Sequence, residues 1–257
     1  MSTPDSDADV REPLKIPAPV GDVRVTLDGP LVTSRFVDRP NRFLVVARLD
    51  DGRDVEAHLP DPGRLEELLL PGRRLWLRSA SGAGRRTRWT AVLAETPDRG
   101  GLVSLDTTLP NRLVARALET AVLEELAGWR LLRSEWAHEG SRLDFLLEDG
   151  AGRRMALEVK SVTLVEDRVA LFPDAVTARG ARHVRALTAL AARERWEAAV
   201  LFVVQRPDCE RVLAARSIDP DFADALAGAR EAGVRVLARR CHVSLVDVRL
   251  GGILSAT

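Results

Sequence analysis

SRLDFLLEDGAGRRMALEVKSVTL, residues 141–164, sets two apolar runs of strand character on either side of a Gly-rich reversal. The first run carries Asp144 and the second carries Glu158, Val159 and Lys160. Residues i and i+2 of a strand share a face, so Glu158 and Lys160 project together, and pairing of the runs as a hairpin across EDGAGR brings Asp144 beside them. Two carboxylates and an ammonium at one point form a site for a hard divalent cation, Mg2+ or Mn2+. Such a cation takes one or two carboxylates plus substrate phosphate oxygens and lowers the pKa of a water. The chemistry is that of metal-assisted phosphodiester hydrolysis. A chain with 30% charged residues also yields such trios on solvated strand faces. Lysine usage weighs against that: of 38 basic residues only Lys15 and Lys160 are lysine, and the other 36 are arginine. A guanidinium would serve a plain ion pair to Glu158 as well, so the lysine points to a compact ammonium at that place.

The chain has 257 residues, 46% of them hydrophobic, enough for one large or two ordinary domains folded without staples. Formal net charge is zero, so no global field steers polyanions, and nucleic-acid binding requires a local patch. Cys209 and Cys241 have neither zinc nor redox spacing and read as core residues in a reducing, cytoplasmic setting. Residues 1–18 are acidic and Pro-rich, read as a disordered tail, and lack the basic start and apolar run of a signal peptide. No apolar stretch approaches membrane length, so no membrane partner is expected.

From Val23 to Thr96, short apolar or alternating runs (VRVTL, FLVVARL, VEAHL, RLWLRS, RWTAVLAE) are broken by Asp-Gly and Pro-Gly turns. That spacing predicts a small antiparallel barrel or sandwich of about five strands, with one helical turn over 64–70. Within it, residues 73–89 hold Arg73, Arg74, Arg78, Arg85, Arg86 and Arg88 with Trp76 and Trp89, and no acid. Guanidinium for phosphate and indole for base stacking make this the expected nucleic-acid surface. Core-plugging tryptophans and a solvated hairpin tip are the competing explanation.

Residues 111–126 carry a 3.6-period apolar stripe opened by Pro110 and closed by Gly128, predicting an amphipathic helix. Strands follow at about 130–137, 142–148 and 154–165, then a helix over 177–196 and a doubly buried strand over 198–205. A second helix starts at Asp219-Pro220 and stops before Gly233, and a last strand covers 234–243. This αβββαβ order with an appended helix and strand is that of the restriction-endonuclease-like fold with its mixed sheet. There the metal acid lies on the second core strand and the acid-x-Lys pair on the third, where Asp144 and Glu158-x-Lys160 fall.

HLPDPGRLEELLLPG (58–72), NRLV (111–114), SRLDFLL (141–147), EVKSVTL (158–164), FPDAVTARGARH (172–183) and LFVVQ (201–205) carry a closer likeness. Over roughly 20–245 the chain resembles the sugar fermentation stimulation protein A family. The resemblance implies an α/β (α+β) two-domain protein: a small OB-like β-barrel over 19–103 and a PD-(D/E)xK nuclease-like domain over 104–257. It implies DNA as partner and a metal-dependent hydrolase site. Asp144 and Glu158 match the metal-ligand acids, with the Val159 carbonyl beside them, and Lys160 matches the catalytic lysine. Asp174, Thr177, Arg179 and His183 match polar positions of the FPDA motif. Leu143 stands where the superfamily often has Pro, and Arg116 stands where the family has Glu, with Glu119 one turn on as a substitute. Asp174 or Thr177 can cap the following helix, whose amides with Arg179 then make an anion site, the competing explanation being a capped helix whose Arg179 pairs with an acid. A non-catalytic DNA-binding transcriptional regulator of sugar metabolism is the alternative, and a homodimer is compatible with either.

Overall fold

The computed structural model describes residues 23–82, 84–98 and 100–257, so the expected tail over 1–18 lies outside the described residues. The first part of the chain runs β1 (Arg24–Thr26), β2 (Leu31–Asn41), β3 (Leu44–Leu49), β4 (Asp54–His58), β5 (Arg74–Ser79), β6 (Trp89–Glu95) and β7 (Leu102–Ser104). The second runs α1 (Leu109–Glu119), β8 (Trp129–His138), β9 (Ser141–Asp149), β10 (Arg154–Val162), β11 (Val165–Glu166), β12 (Val169–Phe172), α2 (Ala178–Ala191) and β13 (Trp196–Val204). It ends with β14 (Arg211–Ala214), α3 (Pro220–Glu231), β15 (Arg235–Val243), β16 (Asp247–Ile253) and β17 (Ser255–Ala256).

Strands β4-β3-β2-β5-β6 pair in that order, and β6 returns parallel to β4 through Ala57↔Trp89 and His58↔Thr90. Closure removes the exposed edges of a small sheet and yields an OB-type barrel. Its interior is filled by alternate residues such as Val45 and Ala47 of β3 and Leu75 and Leu77 of β5, capped by Leu65 and Leu68 of the single turn after β4. One expected barrel strand lies elsewhere. VRVTL supplies β1, which pairs antiparallel with β16 of the larger sheet through Val25↔Val248. The fifth barrel strand is instead β2, where only Ser34 and Phe36 are fully buried.

The larger sheet has the order β1-β16-β15-β13-β10-β9-β8, parallel across β10-β13-β15 and antiparallel elsewhere. β13 is buried on both faces, as its unbroken apolar run requires. The face under α1 packs Leu113, Val114 and Ala117 against Phe145, Leu157 and Leu201, and also takes in Trp76, Val92 and Leu93 from the barrel. One continuous apolar core therefore joins barrel and sheet. The opposite face packs Val184 and Leu187 of α2 and Phe222 and Leu226 of α3 against Ala156, Val200 and Phe202. Asp219 accepts from the Phe222 amide and Pro220 opens α3, the predicted cap. α1 is shorter than its apolar stripe: Ala121 sits at φ +53° and the chain leaves the helix before Val122 and Leu126, which still reach the core. Both cysteines are buried, and burial pushes the Cys209 thiol up to about 12. No helix among the described residues is long and apolar enough to cross a membrane.

Candidate active site

β9 and β10 pair antiparallel as the EDGAGR reversal predicts, with Asp149 accepting from the amides of Ala151 and Arg153 inside the turn. The ladder runs from Arg154↔Glu148 to Leu157↔Phe145 and stops there. Beyond that point Asp144 replaces the neighbouring backbone: its Oδ2 accepts from the Val159 amide at 2.7 Å and its Oδ1 from Asn111 Nδ2 at 2.7 Å. A strand residue points its N–H and C=O to the same edge, so the Val159 carbonyl faces this opened edge as well.

Glu158 and Lys160 share the sheet face that α2 covers, and α2 places His183 against them. Glu158 Oε1 accepts from Lys160 Nζ at 2.6 Å and lies 2.5 Å from His183 Nδ1. Its Oε2 is buried and has no partner among the described residues. An unpartnered carboxylate oxygen in a buried site is costly, and a bound cation is one way such an atom is satisfied. Burial pushes the Asp144 carboxyl above its ordinary range, and the Glu158 charge adds to the push. Burial also pushes Glu158 up, but His183 and Lys160 outweigh it and hold that carboxyl below its ordinary range. The two acids are thus driven apart, Glu158 anionic and Asp144 the readier to take a proton. No group of three or more His, Cys, Asp or Glu side chains is placed to hold a metal among the described residues. A cation here would rest on the two carboxylates and the Val159 carbonyl, with waters or phosphate completing its shell.

Helix α1 contributes Asn111 to this site rather than an acid. Glu119 is exposed at the far end of α1, eight residues or about 12 Å along the axis from Asn111, and does not substitute. Arg116 is exposed too and donates to the backbone carbonyl of Arg24. Gln205 at the end of β13 donates to Ser161 Oγ at 2.9 Å and to the Asp106 carbonyl, linking the strand of Lys160 to the entry of α1. Asn111 and Gln205 carried no expected role, although NRLV and LFVVQ both belong to the runs that bore the family likeness.

The FPDA segment divides its labour. Thr177 caps α2 by accepting from the Gly180 amide, while its own amide donates to Asp219. Asp174 does not cap. Its carboxylate packs on Gly63, where a Cβ would come within 1.9 Å of Oδ2, so it sits where the barrel meets the larger sheet. Burial pushes its pKa up, and Oδ2 has no hydrogen-bond partner among the described residues. Arg179 is exposed at the start of α2. Asp61 lies in the same junction, accepting from the Gly63 amide, with Thr163 Oγ1 3.5 Å away. Burial pushes Asp61 up to about 6 and Glu67, beside the buried Arg206, up to about 7. Both folded values exceed those of the unfolded chain, so the stability these protons contribute is present below about pH 4 and is lost as pH rises toward about 7. Asp61→Asn keeps the acceptor for Gly63 and removes the buried charge. It is expected to raise the melting temperature near about pH 8, a gain worth up to about 3 kcal/mol that shrinks toward about pH 5. Melting scans of both proteins across pH check this, and an Asn variant less stable at every pH contradicts it.

In the expected nucleic-acid patch the arginines and the tryptophans part company. Trp76 is buried in the core between barrel and sheet, and Trp89 is half-buried against the barrel interior. Trp76 is therefore a core plug that offers no face to a base. Arg73 is half-buried and donates to the carbonyls of Thr96 and Pro97, and Arg78 lies 3.9 Å from Asp28. Arg74, Arg85, Arg86 and Arg88 are exposed, and among the described residues none forms an ion pair.

The chain matches the description "Sugar fermentation stimulation protein RE domain" over residues 108–246 and "SfsA N-terminal OB domain" over residues 37–105. It is 49% identical over 222 residues to the sugar fermentation stimulation protein homolog of Shouchella clausii, covering 86% of this chain and 95% of the relative. It is 46% identical over 227 residues to that of Moorella thermoacetica, covering 88% and 96%. The solved structure of Pyrococcus furiosus SfsA in complex with Ca2+ superimposes with a TM-score of 0.81 at 31% identity, over 92% of this chain and 99% of that one. An OB barrel fused through one apolar core to a sheet bearing Asp144 and Glu158-x-Lys160, with these relatives along most of its length, places the chain in the sugar fermentation stimulation protein family.

Proposed function

We propose that the chain binds nucleic acid, DNA foremost, in the cytoplasm and hydrolyses its phosphodiester bonds with Mg2+ or Mn2+ at Asp144, Glu158 and Lys160. The observation that carries this reading is the buried, unpartnered Glu158 Oε2, on the residue next to Val159, whose amide donates to Asp144 at the opened edge of β10. The Ca2+ complex of the Pyrococcus relative supports a hard-cation site in the family. A divalent cation would supply charge neutralisation for the phosphate and acidify a water. Asp144, Glu158 and the Val159 carbonyl would hold it. Lys160 orients the attacking water and offsets charge developing on the phosphate, and His183 keeps Glu158 anionic and fixed. The test is incubation of purified protein with labelled single- and double-stranded DNA and RNA and either metal. Metal-dependent shortening supports the proposal, and intact substrate under every condition overturns it.

A second reading, a non-catalytic DNA-binding regulator, is favoured by one observation: α1 presents Asn111 to the acids instead of a third carboxylate. It requires salt-dependent DNA binding with no cleavage at any divalent metal. In both readings the phosphate contacts fall on the exposed arginines around the β5–β6 hairpin. Arg85→Ala with Arg86→Ala is expected to weaken binding across sequences and to flatten the salt dependence by up to about two phosphates. An unchanged slope moves the binding surface to the C-terminal sheet.

A further inference from the structure

With Trp76 buried, the barrel's stacking surface has to be sought elsewhere. Phe43, between β2 and β3, is one of the exposed large apolar side chains, 43% accessible in a chain whose other described aromatic rings are more covered. Its backbone is pinned at both ends: the amide donates to Asn41 Oδ1 at 2.9 Å, and the carbonyl accepts from the Leu59 amide at 2.9 Å. The Arg42 guanidinium lies 4.7 Å from the ring centroid. The ring lines a concavity of about 560 Å³ together with Asn41, His58, Arg85 and Arg86. Two further concavities, of about 200 and 360 Å³, also reach Arg85, and the first of these extends to Arg112. Arg112 is the neighbour in α1 of Asn111, which donates to Asp144.

We propose that this concavity is a binding site for an unpaired nucleobase, stacked on Phe43, with the adjoining backbone phosphates on Arg85 and Arg86. The inference rests on the nucleic-acid reading above and specifies it: the preferred ligand is single-stranded nucleic acid or a single-stranded end. Within a duplex both faces of a base are covered by its neighbours, so only an unpaired base can offer a face to an aromatic ring held at a fixed angle. Asn41 and His58 supply polar edges at the rim, and the ring and guanidinium of residues 43 and 42 supply a preorganised, sequence-tolerant platform. A strand seated there continues past Arg85 toward Arg112 and the acids. The barrel then presents a single strand to the site rather than merely raising its local concentration.

The experiment is fluorescence anisotropy at fixed salt on the full chain, with short oligothymidylate, oligouridylate and a duplex of equal length. Phe43→Ala is expected to weaken single-strand binding about tenfold, the scale of one lost base stack, and to leave duplex binding unchanged. Phe43→Trp retains the wild-type affinity. Abasic sites in the oligonucleotide weaken binding to the wild type but not to Phe43→Ala. The dependence on Phe43 must appear on whichever of the DNA or RNA strands binds more tightly. Single-strand binding unaffected by Phe43→Ala, or an equal loss on duplex, overturns this site alone. A wild type that binds none of the three probes overturns the nucleic-acid reading on which it rests.

Discussion

Lys160→Ala is expected to leave metal binding in place and to lower cleavage by roughly a hundred- to ten-thousand-fold, the range a positioned proton-transfer or charge-stabilising group supplies. The ammonium contacts Glu158 Oε1 and not Oε2, so its loss leaves the unpartnered oxygen available to a cation. The substitution also breaks a buried pair: Lys160 and Glu158 side chains are 11% and 4% accessible, and removing one partner of such a pair costs about 3–5 kcal/mol. Lys160→Gln, which retains a donor for Oε1, preserves the fold where alanine does not. Rates for both variants, with circular dichroism to establish folding, decide the matter. A folded variant cleaving at the wild-type rate removes Lys160 from the mechanism.

Asp144→Asn is expected to abolish the rise in melting temperature that divalent metal gives the wild type. Metal at about a hundred times its dissociation constant stabilises the folded state by about 2.7 kcal/mol, roughly 5–10 °C for a chain of this size. The introduced amide can still accept from the Val159 N–H, and Asn111 can turn its own oxygen to face it, so both hydrogen bonds survive. Asp144 titrates above its ordinary range because burial and Glu158 disfavour its charge. The folded state is therefore penalised at neutral pH and relieved in acid, and the asparagine variant without metal should be the more stable protein at neutral pH. Differential scanning with and without Mn2+ measures both effects. A metal-dependent shift that persists in Asp144→Asn would show that the cation sits elsewhere.

Much of this architecture is legible in residue periodicity. The β9–β10 hairpin follows from two period-2 runs around EDGAGR, and the pairing of Glu158 with Lys160 follows from their shared face. α3 is legible because Asp219-Pro220 is a complete local start signal. What escaped the sequence depends on partners distant in the chain. β1 is only three residues long, and its partner β16 lies more than two hundred residues on, so nothing local distinguishes it from a barrel strand. β2 carries Asp38 and Pro40 and buries little, which conceals its place in the barrel. The apolar stripe of α1 runs on through Val122 and Leu126 because these residues still pack on the core after the helix has ended. In the site, Asn111 and His183 meet the acids only because helices approach the sheet from opposite faces. Composition alone drew the aromatic surface toward Trp76, whereas burial assigns that ring to the core and leaves Phe43 accessible.

Calorimetric titration of Mg2+ and Mn2+ into the wild-type chain, with Asp144→Asn in parallel, tests the cation site at Asp144 and Glu158 most directly. The site predicts saturable binding of one ion by the folded wild type at millimolar metal or below, and none by Asp144→Asn. Absence of binding to the wild type at millimolar metal would contradict it and leave the non-catalytic DNA-binding reading in its place.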